Sequence, residues 1–338
     1  MTLRRWMFEV GRLLAIYRSS MFALVALFAS SLPALPEPST TVVLTLGAAG
    51  QSEYASNFLH QANLWEKACS NAGCEHVTIG SEPSSTNDLD LLKQTLEAQP
   101  KEAVTPLWLV FIGHGTFDGK EARFNLRGPD VSATDLAQWL KPFHRPLVII
   151  DCSSSSAPFL NKLSGTNRVI ITATRSGYEQ YYTRFGQYFA AVLADPQADL
   201  DKDGQVSLLE AFLTASRQTA EFYKIDGRLA TEHALLDDNG DGLGTPADWF
   251  QGLRAVKKPQ STAAVDGLLA SQITLVPSQE ERNLTPEQRA YRDDLERAVF
   301  LLREKKSKLP EDGYYRELEK LLLKLANFYN STSGTATN

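Results

Sequence analysis

A histidine and a cysteine each follow a short, wholly apolar run, and these two residue types together can carry out nucleophilic chemistry. Leu107–Ile112 is followed by His114 and Gly115, and the apolar run 146–150 is followed by Asp151 and Cys152. A thiolate attacks a carbonyl carbon, an imidazole protonates the leaving amine, and a backbone N–H stabilises the oxyanion. We therefore expect His114, Cys152 and Gly115 to form the catalytic group of an acyl-transfer hydrolase.

The two apolar runs also indicate how these residues are held. Runs of five or six apolar residues without polar alternation are typical of buried parallel strands. In an open α/β sheet the reactive crevice lies beyond the carboxyl ends of the strands, so an imidazole and a thiol at two strand ends share one edge. Further strand and helix patterns alternate between 41 and 195. The sequence therefore predicts an α/β fold, a mainly parallel sheet covered by helices on both faces.

A twelve-residue acidic stretch, residues 199–210, has the spacing of an EF-hand calcium loop, and we call it loop 1. It has a glycine at position 6 and a glutamate at position 12, and helical patterns lie on both sides of it. Calcium prefers six to eight oxygen ligands, which short acids, one backbone carbonyl and a bidentate glutamate supply. The ligands expected in loop 1 are Asp199, Asp201, Asp203, Gln205 through its carbonyl, Ser207 and Glu210.

Loop 2, residues 237–248, repeats this layout with an asparagine at position 3 and an aspartate at position 12. The shorter acid at the last position favours a longer or water-mediated contact and a lower calcium affinity. The ligands expected here are Asp237, Asn239, Asp241, Leu243 through its carbonyl, Thr245 and Asp248. Calcium is the one cofactor that the sequence predicts, and the two loops define an EF-hand-like region at 196–255.

The N-terminal residues 1–34 have the pattern of an export signal, in which arginines precede an apolar run from 21 to 32 that ends in small residues and prolines. We expect a periplasmic or extracellular protein that touches a membrane only through this segment, if it stays uncleaved. In an oxidising compartment Cys69 and Cys74 are close enough in sequence to form a disulfide, which leaves Cys152 unpaired. The formal charge of −6 is spread along the chain without a basic cluster, which argues against a nucleic-acid partner.

After an aperiodic linker at 256–284, the pattern predicts a helical hairpin at 285–330 and a disordered tail at 331–338. Thr285 is followed by a proline and a glutamate, which is a helix start, and apolar residues recur at helical spacing on both sides of a break at 310–313. We expect this hairpin to pack on the main domain and assign it no chemistry.

The order of these motifs resembles that of the caspase-fold cysteine peptidases, and most of all the legumain branch, which includes the glycosylphosphatidylinositol transamidase catalytic subunit. The resemblance covers residues 41–194 and rests on the His114-Gly115 pair, the spacer of some forty residues and the cysteine after Asp151. It implies cleavage of peptide bonds in a peptide or protein substrate through a thioester. In that family the nucleophile stands two residues after the acid, which here is Ser153.

Three alternatives remain open at this point. Cys152 or Ser153 is the nucleophile, or the chain keeps the fold without the reaction and is a calcium-binding module that recognises a protein partner. The turns at 47–51 and 172–174 lie where the family has pocket loops, and Arg175, Ser176 and Glu179 are candidate pocket residues by position alone. A change of one residue in register turns a side chain to the opposite face of a strand, so Cys152 and Ser153 exclude each other.

Overall fold

The computed structural model describes residues 40–82, 86–259 and 264–333. The export signal expected at 1–34 and most of the tail at 331–338 lie outside these residues. The strands are β1 (Thr41–Leu46), β2 (Glu75–Ile79), β3 (Leu107–Ile112), β4 (Gly115–Phe117), β5 (Ala122–Phe124), β6 (Val131–Ser132), β7 (Leu147–Asp151), β8 (Arg168–Thr172), β9 (Leu235–Asp237), β10 (Thr245–Pro246), β11 (Phe250–Gln251) and β12 (Arg254–Ala255).

Seven of these strands form the central sheet in the order β10-β9-β8-β7-β3-β1-β2. The five strands from β2 to β8 run parallel, and β9 and β10 each run antiparallel to their neighbour. The strands β4, β5 and β6 form a small antiparallel sheet. Its first two strands form a hairpin around Asp118-Gly119, since β4 pairs with β5. The predicted mainly parallel sheet is confirmed.

Helices cover both faces of this sheet because its buried side chains alternate between two apolar clusters. The helices are α1 (Ser52–Ala72), α2 (Asp88–Ala98), α3 (Ala133–Leu140), α4 (Ala157–Leu163), α5 (Phe185–Val192), α6 (Leu208–Ile225), α7 (Leu268–Gln272), α8 (Gln279–Asn283), α9 (Pro286–Glu304) and α10 (Glu311–Ser333). Apolar residues of α1, α5 and α6 pack on one face, and those of α2, α3 and α4 pack on the other. The two-sided cover matches the α/β class expected from the sequence.

The two long C-terminal helices, α9 and α10, pack against each other, as the hairpin pattern predicts. Thr285 caps α9, with a capping box to Gln288. Within the described residues, no helix has both the length and the apolar content needed to cross a bilayer.

The second acidic loop has a setting that differs from the expected helix-loop-helix. Loop 2 connects β9 to β10, and both strands belong to the central sheet. A boundary at 195 therefore does not separate the sheet from the calcium-loop region. A strand rather than a helix leads into loop 2, because Leu235, Leu236 and Asp237 pair with Thr172, Ile171 and Ile170 of β8.

Candidate functional site

The alternation of side chains along β3 and β7 decides which candidate residues share a face. Ile112 and Ile150 belong to the apolar cluster under α1 and α5, and Cys152 continues that alternation into the same cluster. The ring of His114 lies on this side too, 5.3 Å from the ring centre of Phe58 in α1. The imidazole and the thiol are thus on one face at the carboxyl ends of neighbouring strands, although no hydrogen bond between them occurs among the described contacts.

The thiol of Cys152 is enclosed by protein. Cys152 is only 4% exposed, and a Cβ placed on Gly186 at the start of α5 would lie 3.0 Å from its sulfur. Burial raises the pKa of this thiol well above its ordinary value, and the carboxylates of Asp151 and Glu232 raise it further. A group that is neutral and sealed from solvent is a poor nucleophile.

The helix start near this sulfur does not supply positive charge to it. The helix that follows Cys152 in the chain, α4, begins only at Ala157, and the sulfur lies beside Gly186 of α5 instead. The first amides of α5 are occupied, since the Glu232 carboxylate accepts hydrogen bonds from the N–H groups of Arg184 at 2.8 Å and Phe185 at 3.0 Å. Glu232 thereby cancels the helix-dipole effect that would stabilise a thiolate.

His114 lies among aromatic rings. Tyr54 meets it edge-on at 4.7 Å between ring centres, and Tyr182 lies at 6.0 Å. Burial lowers the pKa of the imidazole, and a hydrogen bond to the backbone of Ala49 offsets part of that decrease. The lowered pKa makes this imidazole a weaker base, and the neutral ring must take up a proton before it can act as the acid toward a leaving amine.

The N–H of Gly115 is not available as an oxyanion donor. It donates to the hydroxyl of Ser154 at 3.1 Å, and that hydroxyl donates to the Gly115 carbonyl at 3.0 Å. The residue must be glycine because a Cβ there would lie 2.2 Å from the Ser154 carbonyl oxygen and 2.9 Å from the Ser153 hydroxyl. The close approach is made by the chain's own backbone rather than by a substrate.

Ser153, the residue at the family's nucleophile position, is fully buried beside Asp151. Its hydroxyl donates to the Asp151 carboxylate at 2.6 Å, and its N–H donates to the same oxygen at 2.9 Å. The other Asp151 oxygen has no hydrogen-bond partner among the described residues. Burial raises the pKa of Asp151 to about 6, while the two bonds from Ser153 act to lower it. This pair ties the end of β7 to the following turn.

Of the three candidate pocket residues, Glu179 makes the most specific contacts. Its carboxylate lies 2.6 Å from Nδ1 of His233 and accepts a bond from the N–H of Arg175 at 3.0 Å. Ser176 hydroxyl accepts from the N–H of Tyr178 at 3.1 Å. These bonds fix the segment after β8 against the segment that leads into β9, so they account for the local structure without a substrate.

An apolar cavity of about 520 Å³ lies beside α6. Its walls come from α6, the segment 230–234 and residues 246–252, and they include Leu200 of loop 1 and Asp248 of loop 2. Neither His114 nor Cys152 lines it. The space for a small molecule is therefore next to the acidic loops.

Loop 1 brings together the groups that its spacing predicts. One carboxylate oxygen each from Asp199, Asp201 and Asp203 lies within 4.8 Å of the others. Glu210 lies in the first turn of α6. One of its carboxylate oxygens accepts hydrogen bonds from the N–H groups of loop positions 2 and 3, and the other accepts from Ser207 at position 9. The oxygen ligands that calcium prefers are therefore collected at one point.

Loop 2 repeats the hydrogen bonds of loop 1 position by position. The aspartate at position 1 accepts from the N–H groups of positions 4 and 6 in both loops. The residue at position 3 accepts from the N–H of position 5, and the residue at position 5 accepts from that of position 7, again in both. The backbone agrees as well, since position 4 has a positive φ of 65° at Lys202 and 79° at Gly240.

The acid that closes loop 2 is Asp266 and not Asp248. One Asp266 oxygen accepts from the N–H groups of Asp238 and Asn239, positions 2 and 3, and the other accepts from the hydroxyl of Thr245 at position 9 at 2.6 Å. These are the contacts that Glu210 makes in loop 1. Asp248 is exposed in a short 3₁₀ turn instead. The structure does not place Asp248 with the other ligands predicted for loop 2, because the chain has already entered β10 before it reaches this residue.

Both loops concentrate negative charge. Burial, followed by the neighbouring carboxylates Glu210 and Asp203, raises the pKa of Asp201 to about 6. Burial and the Asp238 carboxylate raise the pKa of Asp266 to about 8. Buried carboxylates that repel one another are stabilised by a cation placed between them. The donor set of each loop fits a hard divalent cation.

Sequence analysis did not find two of the residues with the most specific contacts, Glu232 and Asp266. Asp266 lies in a stretch without periodicity, and nothing in the spacing connects it to loop 2. Glu232 caps a helix that begins far earlier in the chain, at Phe185. An acid immediately before Gly267, in a segment expected to be a linker, was the one available signal for Asp266.

No protein-family model matches the chain, and no curated protein matches it by sequence. Among solved structures, caspase-1 from Spodoptera frugiperda is similar over 60% of this chain and 86% of its own, with a TM-score of 0.39 and 10% identity. The Drosophila initiator caspase Dronc is similar over 64% of this chain and 87% of its own, with a TM-score of 0.40 and 14% identity. Both are caspases, and at these scores the likeness concerns the arrangement of the chain and not its activity.

Proposed function

We propose that this chain is an exported calcium-binding protein built on a caspase-like α/β scaffold, and that it acts by binding a protein partner rather than by cleaving peptide bonds. The agreement between the hydrogen bonds of loops 1 and 2 carries the calcium part of the proposal. Glu210 and Asp266 contact the same three loop positions, although Glu210 lies at position 12 of its own loop and Asp266 lies well beyond the end of loop 2. Such agreement in two loops with different flanking structure is expected if both are shaped around one kind of ligand.

A calcium titration by isothermal calorimetry tests this proposal. We expect two sites in the full chain, one lost in Asp203→Ala and the other in Asp241→Ala, because each change removes the carboxylate at position 5. Asp294→Asn, which removes an exposed carboxylate of α9, is the matched control and should leave both sites intact. Binding at 100 times the dissociation constant adds about 2.7 kcal/mol to the free energy of unfolding. A melting temperature that is indifferent to chelator, with no heat of calcium binding, would refute the proposal.

The binding role, as opposed to hydrolysis, is supported by three features of the strand ends. The Cys152 thiol is sealed and has a raised pKa, the Gly115 N–H is used by Ser154, and the Ser153 hydroxyl is used by Asp151. The Gly115 N–H and the Ser153 hydroxyl are thus engaged in local hydrogen bonds around the turn after β7, and the Cys152 thiol is enclosed.

A second candidate function is a cysteine peptidase of the legumain-like kind. One observation favours it, namely that His114 and Cys152 lie on the same face at the ends of neighbouring strands. The test is labelling by an electrophilic peptide analogue in folded, calcium-loaded protein, with mass spectrometry to locate the adduct and Cys74→Ser to remove the half-buried thiol. We expect no adduct at Cys152. An adduct there that is lost in His114→Ala would establish the peptidase, and an adduct at Ser153 would establish the alternative register.

A further inference from the structure

The segment Val265–Ser278, which we call the connecting segment, contacts both acidic loops. Asp266, near its start, contacts loop 2; the segment then continues through α7 and reaches loop 1 within a few residues. Val265, Ala270 and Leu275 anchor it in the protein interior, each less than a tenth exposed. The sequence had indicated only a linker here, so this double attachment is a finding of the structure.

The attachment to loop 2 goes beyond Asp266. Asp238, at position 2 of the loop, accepts hydrogen bonds from the N–H groups of Gly267 and Ala270, both at 2.8 Å. The loop 2 side chain thereby binds the first amides of α7, while Asp266 of the connecting segment binds the loop. The two pieces of chain hold each other reciprocally, so neither can rearrange alone.

The attachment to loop 1 is a short piece of antiparallel pairing. Ser207 and Thr274 form a β-bridge, and the N–H of Leu208 donates to the Ile273 carbonyl at 2.8 Å. The Thr274 hydroxyl donates to the Val206 carbonyl at 2.8 Å, and the N–H of Ser278 donates to the Gln205 side chain at 3.1 Å. Loop 1 therefore pairs with the connecting segment at positions 7 to 10, and the described contacts contain no pairing between loop 1 and loop 2.

From these contacts we propose that the connecting segment couples the two loops, so that a divalent cation in one loop raises the affinity of the other. A cation in loop 2 draws in Asp266 and orders the connecting segment, and loop 1 then binds its cation against a partner that is already ordered. The cost of ordering is met at the first binding event and not at the second. This inference rests on the proposed calcium binding.

The experiment compares the calcium affinity of each loop with the other intact or inactivated, using calorimetry on the full chain. Asp241→Ala reports loop 1 alone, and Asp203→Ala reports loop 2 alone. We expect the affinity of each remaining loop to be at least about fivefold lower than in the full pair. We call this ratio of affinities the coupling factor. Thr274→Val removes one hydroxyl bond to loop 1 and no cation ligand, and it should reduce the coupling factor. Asp238→Ala, at the attachment to loop 2, should reduce it as well.

Ser271→Ala is the matched control, because its hydroxyl bonds only to Leu268 within α7, and it should leave the factor unchanged. If each loop bound calcium with the same affinity in the unaltered chain and in the single-loop variant, the coupling would be overturned and the proposed calcium binding would stand. Absence of any calcium binding in the unaltered chain would instead overturn the proposed function. A coupling factor that persists in both Thr274→Val and Asp238→Ala would show that another path carries it and would also overturn the inference.

Discussion

Replacing Asp266 by asparagine tests the central assignment in loop 2. The two Asp266 oxygens accept three hydrogen bonds from positions 2, 3 and 9, so asparagine, with one oxygen and one amide NH₂, keeps the size but loses one acceptor and the charge. Disturbing a residue that merely orients a ligand lowers metal affinity by about 10- to 100-fold. Since we propose that Asp266 is a ligand itself, we expect Asp266→Asn to weaken calcium binding at loop 2 by about 100-fold or more, which is about 2.7 kcal/mol.

The matched variant is Asp248→Asn, which makes the same chemical change at the residue that spacing alone selects. We expect its affinity to lie within about twofold of the unaltered chain, because Asp248 is exposed and Asp266 makes the contacts to positions 2, 3 and 9. Calorimetric titration in the Asp203→Ala background isolates loop 2 for both variants. A large loss in Asp248→Asn together with a small one in Asp266→Asn would refute the reasoning, and circular dichroism separates that result from unfolding.

Asp151→Asn should change how the free energy of unfolding depends on pH. The pKa of Asp151 is about 6 in the folded protein against an ordinary 3.8, so the folded state keeps this proton to a higher pH than the unfolded state does. The free energy of unfolding of the unaltered chain should therefore fall by about 3 kcal/mol as the pH rises from 3.8 to 6. Denaturant titrations in excess calcium at pH 4 and 7 should show this fall in the unaltered chain and its loss in the variant; an equal fall in both contradicts it. The free thiols of Cys69 and Cys74 are hydrogen-bonded to each other, so oxidised glutathione should convert them to an intramolecular disulfide with a loss of about 2 Da by mass spectrometry; mixed glutathione adducts alone would count against it. Gly186→Ala should destabilise the protein by about 1–3 kcal/mol despite alanine's better helix propensity, because the new Cβ would lie 2.6 Å from that of Cys152; a denaturation midpoint unchanged from the unaltered chain would disprove that contact.

The strands and most helices were within reach of the sequence because they depend on local patterns. The apolar runs before His114 and Cys152 predict buried parallel strands, and the alternation of side chains along those strands places both residues on one face of the sheet. The state of the site was not within reach, because it depends on contacts between distant residues. Gly115 with Ser154 and Cys152 with Gly186 are such contacts, and each decides whether a group is free to react.

The calcium loops divide in the same way. Loop 1 is contiguous, so counting positions finds Glu210 without knowledge of the fold. In loop 2, counting positions selects Asp248, but the acid that contacts the loop is Asp266, 18 residues further along the chain. Such a substitution is visible only when the hydrogen bonds of the two loops are compared.

The shortness of β10 has a consequence for how the molecule behaves in concentrated solution. It is a two-residue strand at the margin of the central sheet, and its second residue, Pro246, has no N–H to offer. A neighbouring molecule that tried to add a strand along this margin would find few groups to bond with, which discourages the edge-to-edge stacking that leads to fibrils.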